Sequence, residues 1–158
     1  MLVFLDTEYT DTLRRDLISI GMIGEDGQQE LYAERSDYRS EWCNSFTRAA
    51  VLPLLGKAGP ALNRQQLAVL LAAWFAILPR SVTIACDCHT DWELLIGAMS
   101  SEAPTNLSGR YDLSCLIDSP VFHQAAVRYS ARCGLWHHAL YKARAQRYGW
   151  LAWQDSQK

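Results

Sequence analysis

The chain begins with an apolar run that ends at two acidic residues. Residues 1–5 are apolar, and Asp6 and Glu8 follow with one residue between them. A short run rich in branched and aromatic side chains predicts a buried strand. Because side chains alternate along a strand, Asp6 and Glu8 should point to the same face. Neighbouring carboxylates repel each other, so we expect a positive partner, for which a divalent metal ion is the obvious candidate. The alternative is a strand that ends in a solvated turn with unrelated acids.

The two segments that follow predict an antiparallel three-strand meander. Residues 17–24 are apolar with two glycines, which indicates a second strand. Residues 25–27 are a hairpin turn signal, and residues 29–34 are a plausible third strand. The acidic pair would then lie at the end of the first strand of the meander.

The remainder alternates predicted helices with one further strand. Residues 67–78 have the clearest helical period, with Asn63 as the N-cap and Pro79 ending the helix. We interpret its apolar face as core. The other predicted elements are a helical stretch over 42–56 bent at Pro53, a strand over 81–85, a helix from Thr90 or Asp91 to Ile96, a helix over 120–132, and a last helix over 138–148 that Gly149 ends. Loops are expected over 56–60 and 100–110, and residues 111–117 fit a strand or a helical turn equally well.

This order of elements predicts an α/β fold with a central mixed sheet flanked by helices. The length of 158 residues fits one domain, which we place over residues 1–150 with a short C-terminal tail over 151–158. Trp150, the last residue of that domain, and Trp153 in the tail are candidates for a docked segment.

The composition indicates the expected cellular location of the protein, but it says little about its binding partners. No apolar stretch approaches the roughly 20 residues of a membrane span, and the first apolar run lacks preceding positive charge and meets Asp6 early. We therefore expect no signal peptide, no membrane association and a cytoplasmic location. Five scattered cysteines indicate reduced thiols. The net charge of −2 says little about partners.

Three segments in this order resemble the motifs of DEDDh-type 3′–5′ exonucleases, the group of ribonuclease T, oligoribonuclease and proofreading subunits. The segments are FLDTE at 4–8, TDWELL at 90–95 and HHALYKARA at 137–145. Residues 17–21 and 51–55 look more narrowly like the small bacterial 3′–5′ exoribonuclease-like proteins of that group. The resemblance extends from Leu2 to about Gly149. It implies a ribonuclease H-like fold, two Mg²⁺ or Mn²⁺ ions and often a homodimer, with hydrolysis of single-stranded RNA or short oligonucleotides, RNA favoured over DNA.

The resemblance also assigns roles to individual residues. Asp6, Glu8 and Asp91 match its metal ligands, and His137 matches its general base. His138 falls on a variable position and is interpreted as a neighbour. Asp87 matches no metal ligand of the group.

Lys142 departs from the motif, because the fourth acidic ligand is expected at its position. A cation at about 4 Å from a metal ion would cost on the order of 4 kcal/mol at an effective dielectric near 20. The ammonium group could neutralise the acids in place of one metal ion. Alternatively, the lysine could point to solvent while a water fills the gap, or it could be an introduced substitution in an active enzyme.

Several further residues can be interpreted either as functional or as structural. Thr7, Tyr9, Trp92 and Arg144 are candidate nucleic-acid contacts, although Trp92 fits a core position equally well. The basic side chains of the last two helices could bind phosphates, but a solvated helix face is slightly favoured; they are Arg128, Arg132, Lys142, Arg144 and Arg147. A zinc site built from the cysteines and histidines is disfavoured, because their spacing lacks paired C-x₂-C motifs.

Two functions follow from the sequence. The favoured one is a metal-dependent 3′–5′ exonuclease, weakened by Lys142 and holding one of its ions poorly. The alternative is a catalytically silent exonuclease fold that binds nucleic acid or a protein partner.

Overall fold

The computed structural model describes residues 1–58, 61–99 and 103–158, and a five-stranded mixed sheet forms its centre. The strands are β1 (Leu2–Tyr9), β2 (Leu17–Gly24), β3 (Glu30–Glu34), β4 (Val82–Cys86) and β5 (Leu107–Asp112). Their order in the sheet is β3-β2-β1-β4-β5. β1, β2 and β3 are antiparallel, whereas β4 and β5 run parallel to β1. The predicted α/β class and the initial meander are therefore confirmed.

Helices cover both faces of the sheet. They are α1 (Arg64–Ala76), α2 (His89–Ala98), α3 (Pro120–Cys133) and α4 (Ala139–Ser156). Val3 and Leu5 of β1 are buried in a core shared with α1 and α2, and Phe4 is buried in a second core with α3 and α4. Because side chains alternate along β1, this strand contributes residues to both cores.

The helix predicted over 67–78 is confirmed as α1. Asn63 caps it, because its side chain accepts a hydrogen bond from the backbone N–H of Gln66 while the Gln66 side chain accepts one from Asn63. The predicted apolar face is buried core at Leu67, Leu71, Trp74 and Phe75.

The last helix is longer than predicted. α4 continues through Gly149 to Ser156, so the predicted helix end at Gly149 is wrong, and most of the predicted tail is helical. Gly149 serves close packing instead, because a Cβ there would lie 2.9 Å from Phe122 of α3. Trp150 is buried and packs on Phe4, with ring centroids 6.3 Å apart.

Other predicted bounds differ in smaller ways. β5 occupies part of the predicted loop over 100–110, and its sequence, with Gly109, lacks the β-branched residues that indicate a strand. Residues 42–56 form short 3₁₀ and π turns rather than one helix, and α2 begins at His89. The predicted loops also include residues 59–60 and 100–102, which lie outside the described residues. In the described part of the chain, no helix has the length and apolarity needed to cross a lipid bilayer.

Candidate active site at the end of the central strand

The acidic pair of β1 lies beneath the first turns of α4. Asp6 and Glu8 are 2% and 7% exposed, and Asp6 stands opposite Gly21 of β2. A Cβ at Gly21 would overlap the backbone of Ala139 and Leu140, so the missing side chain lets α4 lie directly on the sheet. The close approach brings the next residues of α4 over the carboxylates.

Lys142 is the residue that this approach brings to the acids. Its Nζ lies 2.9 Å from Oδ1 of Asp6 and 3.6 Å from Oε1 of Glu8. The interpretation in which the lysine points to solvent and a water fills the gap is therefore wrong. Burial alone would lower the pKa of Lys142, but the Asp6 and Glu8 carboxylates outweigh it and raise the pKa, so the amine is protonated.

One ammonium group does not fully compensate the buried carboxylates. Burial raises the pKa of Asp6 well above its usual value, with Asp91 and Glu8 adding to the rise and Lys142 opposing it. Burial likewise raises the pKa of Glu8, against the influence of Lys142 and His137. Oδ2 of Asp6 is buried and has no hydrogen-bond partner among the described residues. Either a proton or further positive charge would therefore stabilise these carboxyl groups.

Asp91 is held over the end of β1 by Thr7. Its Oδ1 accepts a hydrogen bond from the backbone N–H of Thr7 at 3.1 Å and another from the Thr7 hydroxyl. Burial raises the pKa of Asp91 to about 6, although Thr7 and Lys142 both act to lower it. Asp91 therefore lies next to Asp6, and the two hydrogen bonds from Thr7 hold it there.

Asp87 also belongs to this cluster, although it matches no metal ligand of the exonuclease group that the sequence resembles. β4 is parallel to β1 with Phe4 opposite Ala85, so Asp87 leaves β4 level with Asp6. Carboxylate oxygens of Asp6, Asp87 and Asp91 lie within 4.8 Å of one another. The sequence does contain a signal for this placement, because Asp87 directly follows the strand that runs parallel to β1.

His137 and Lys142 line the same open cavity, of about 330 Å³, next to Glu8. The His137 ring packs edge-on against Phe46, with centroids 4.9 Å apart. Trp136, 47% exposed, is a further aromatic lining residue. The sequence could have suggested Trp136, which adjoins His137, but it carried no local signal for Phe46.

His138 faces a different environment from its neighbour. Its ring stacks on Tyr32 with centroids 4.3 Å apart, and its Nδ1 is buried without a hydrogen-bond partner in the described residues. Burial lowers the pKa of His138, which favours the neutral ring. Of the two histidines, His137 is the one that lines the cavity.

The four candidate nucleic-acid contacts differ in their placement. Tyr9 lines the cavity and is half-buried, whereas Thr7 is engaged with Asp91. Trp92 is half-buried and packs on the core with α1. Arg144 forms two hydrogen bonds of 2.8 and 2.6 Å with the Glu30 carboxylate, so we reassign it from nucleic-acid contact to structural ion pair.

Arg147 is similarly engaged, because its Nε donates to the backbone carbonyl of Glu25 at 2.9 Å. Arg144 and Arg147 therefore tie α4 to the region of the β2–β3 hairpin. Tyr9 remains the candidate contact whose placement suits a bound strand.

The site therefore combines clustered carboxylates, a fixed ammonium group and a histidine that lines an open cavity. No protein-family model matches the chain, and a comparison with curated proteins finds no significant match.

Proposed function

We propose that the chain is a metal-dependent 3′–5′ exonuclease with a ribonuclease H-like architecture, weakened by Lys142. The observation that carries the proposal is that Asp6 and Asp91 offer carboxylate oxygens within 4.8 Å of each other at one end of β1, while Glu8, a predicted metal ligand outside that cluster, lines the adjoining cavity with His137. The sheet order, with an antiparallel meander joined to two parallel strands, is compatible with that architecture. Single-stranded RNA and short oligonucleotides are the proposed substrates.

The residues present fit one divalent ion better than two. Lys142 Nζ lies against both Asp6 and Glu8, where a second cation would be repelled by the ammonium group. Asp6 still has the unpaired Oδ2, and Asp91 lies beside it. Asp6 and Asp91 would hold the ion, and all-oxygen ligation suits Mg²⁺ or Mn²⁺.

A bound divalent ion would supply positive charge to the phosphodiester oxygens during hydrolysis. The protein residues would orient the reaction around it. His137 accepts the proton of the attacking water, a role that suits an imidazole near neutral pH. Tyr9, Phe46 and Trp136 offer aromatic surfaces on which the terminal base can stack. Thr7 holds Asp91 in position through its two hydrogen bonds.

Labelled single strands test the proposal. Strands labelled at the 3′ or the 5′ end are incubated with Mn²⁺ and the wild-type chain, Lys142→Asp, or Lys158→Asp as a control for the same charge change at an exposed position. We expect stepwise loss from the 3′ end, at least about tenfold faster with Lys142→Asp because a fourth carboxylate replaces the repelling cation. Absence of shortening by both the wild type and Lys142→Asp would refute the proposal.

His137→Ala separates the chemical step from binding. Its loss should slow cleavage by roughly 10²- to 10⁴-fold, as for a general base. Binding of the strand in the presence of EDTA should change much less. Equal cleavage rates for wild type and His137→Ala would remove the base role from His137.

The ion pair of Lys142 favours a second candidate, a catalytically silent fold that binds single-stranded nucleic acid or a protein partner. Because the ammonium group already neutralises part of the site, such binding need not involve a metal ion. Fluorescence anisotropy with a labelled strand should then give the same affinity in Mn²⁺ and in EDTA. Binding that disappears on chelation would count against this candidate.

A further inference from the structure

We propose that Asp87 completes a single divalent-cation site with Asp6 and Asp91, while Lys142 replaces the second cation on the Glu8 side. The inference rests on the proposed function only in taking the same carboxylates as the site. It adds a ligand that the exonuclease motifs do not predict, and it removes Glu8 from the ligand set. The ligand class is a hard divalent cation such as Mg²⁺ or Mn²⁺.

The first support is the geometry of the three carboxylates. Their oxygens lie within 4.8 Å of one another, although Asp87 and Asp91 come from a loop and a helix and Asp6 from a strand. The parallel register of β1 and β4 fixes Asp87 level with Asp6. Thr7 fixes Asp91 independently. The cluster is thus positioned by the sheet and not by flexible side chains alone.

The second support is the unpaired oxygen of Asp6. The side chain is 2% exposed; its Oδ1 contacts Lys142, whereas Oδ2 has no hydrogen-bond partner in the described part of the chain. A buried carboxylate oxygen beside two further acids requires either a cation or a proton. Asp87 is not buried, which gives an ion a route to this side of the site.

Lys142 divides the site into two unequal halves. Its Nζ lines the cavity and lies 3.6 Å from Oε1 of Glu8, an oxygen that is buried without a hydrogen-bond partner among the described residues, so the ammonium group offsets the charge of Glu8 without a hydrogen bond. The Asp87 side has three carboxylates, with the ammonium group contacting only Asp6 among them. A single ion on that side would be bridged to the lysine through the Asp6 carboxylate.

Metal binding without nucleic acid tests this assignment. Mn²⁺ is titrated into EDTA-stripped protein and followed by isothermal calorimetry and by loss of the free Mn²⁺ electron paramagnetic resonance signal. The wild type should bind one ion. Asp87→Asn should weaken binding by at least about tenfold, whereas Asp118→Asn, the same charge change at an exposed position, should not. Glu8→Gln should weaken it far less than Asp87→Asn.

Thermal melting gives a second measurement that is independent of cleavage. Saturating Mn²⁺ should raise the melting temperature of the wild type, because an ion that binds only the folded state stabilises it. The rise should be lost in Asp87→Asn at the same Mn²⁺ concentration. Asp87→Asn should remain folded, as judged by circular dichroism, because its side chain is not buried.

The outcomes separate this inference from the proposed function. Metal binding that needs Asp87, without shortening of any strand, supports the cation site and overturns the nuclease. Cleavage together with unchanged Mn²⁺ affinity in Asp87→Asn overturns the site as assigned. No Mn²⁺ binding up to millimolar concentrations would mean that a proton, not a cation, compensates Asp6, and would also overturn it.

Discussion

Lys142 is the residue that connects the stability of this protein to its chemistry. Its ammonium group contacts two buried carboxylates, although 37% of its side-chain surface is exposed. An ion pair of this kind cannot be judged from its attraction alone, because removing one partner leaves the other charges buried without compensation. The direction of the effect is nevertheless clear, because burial raises the pKa values of Asp6 and Glu8 whereas Lys142 acts to lower both and so favours the charged carboxylates.

We predict that Lys142→Met lowers the free energy of unfolding by about 2 kcal/mol at pH 7 in EDTA. This value is smaller than that expected for a fully buried ion pair, because water screens the charge of the lysine. Urea denaturation checks this. Lys158→Met, at a side chain 79% exposed, should change stability by less than about 0.5 kcal/mol. An unchanged midpoint for Lys142→Met would mean that Asp6 and Glu8 already carry protons in the wild type.

The raised pKa of Asp91 leads us to predict a specific dependence of stability on pH. Its pKa is about 6 in the folded protein against an ordinary value of 3.8, so between these pH values the folded state binds more protons than the unfolded state. The contribution of Asp91 to stability therefore decreases as pH rises from about 4 to 6, by up to about 3 kcal/mol. Chemical denaturation across this range in EDTA should show a flatter profile for Asp91→Asn than for the wild type. Parallel profiles would contradict the raised pKa.

At the scale of elements, the contact between α4 and the sheet positions the site. Gly21 provides the surface on which Ala139 and Leu140 lie, and Lys142 follows within the first turn of that helix. The register places Asp6 beside Gly21, so the same cross-strand pair supplies both the acid and the space for the helix. Lys142 therefore reaches Asp6 because the residue paired with Asp6 across the strands is a glycine, Gly21.

Gly21→Ala should destabilise the protein by at least about 3 kcal/mol, because its Cβ would overlap helix backbone that cannot move independently. Gly97→Ala is the matched control. Gly97 lies within α2 and a Cβ there meets no atom of the described residues within 4 Å, so the change should be neutral or stabilising by about 0.4–1 kcal/mol. Similar stability for the two variants would contradict the close approach of α4. Thermal and urea unfolding measure both.

The elements that the sequence predicted well are those with strong local signals. The periodic face of α1 and the apolar runs of β1 and β2 are explicit in the chain and are recovered with nearly correct bounds. Most of β5 lies in a predicted loop, and only its last two residues fall in the stretch 111–117 that fits a strand or a turn, because a short edge strand with Gly109 is specified by its pairing with β4. The end of α4 was misplaced because the local signal of Gly149 is overridden by its packing on Phe122.

The site was predictable to a similar degree. The motifs locate Asp6, Glu8, Asp91 and His137, and Lys142 stands out as a departure from them. Whether the ammonium group faces the acids or solvent depends on the approach of α4, which is a tertiary contact. Phe46 and Asp87 join the site through the same kind of long-range placement.

At the scale of the whole molecule, β1 joins two hydrophobic cores. Val3 and Leu5 belong to the core with α1 and α2, and Phe4 belongs to the core with α3 and α4. Neither core is complete without this strand. We therefore expect the described elements to unfold together, with coincident transitions in far-ultraviolet and near-ultraviolet circular dichroism.

Trp150→Ala tests the coupling of the two cores. Trp150 is 7% exposed and packs on Phe4 and Tyr111, so its truncation should cost about 3–5 kcal/mol. Trp136→Ala, at a side chain 47% exposed, should cost less than about 1 kcal/mol. If the loss in Trp150→Ala appears as a separate early transition, the two cores are not one cooperative unit.

The ammonium group of Lys142 provides positive charge that does not depend on the concentration of metal ions in solution. The occupancy of an ion taken from solution follows its concentration, whereas a charge carried on the chain is present at one equivalent per molecule from the moment of synthesis. The share of the compensation that Lys142 supplies is thus independent of metal starvation, overload or chelation. Only the Asp87 side would respond to the ion content of its surroundings, so a fluctuation in free Mg²⁺ or Mn²⁺ would change the charge at that side while the ammonium group stayed in place at Asp6 and Glu8.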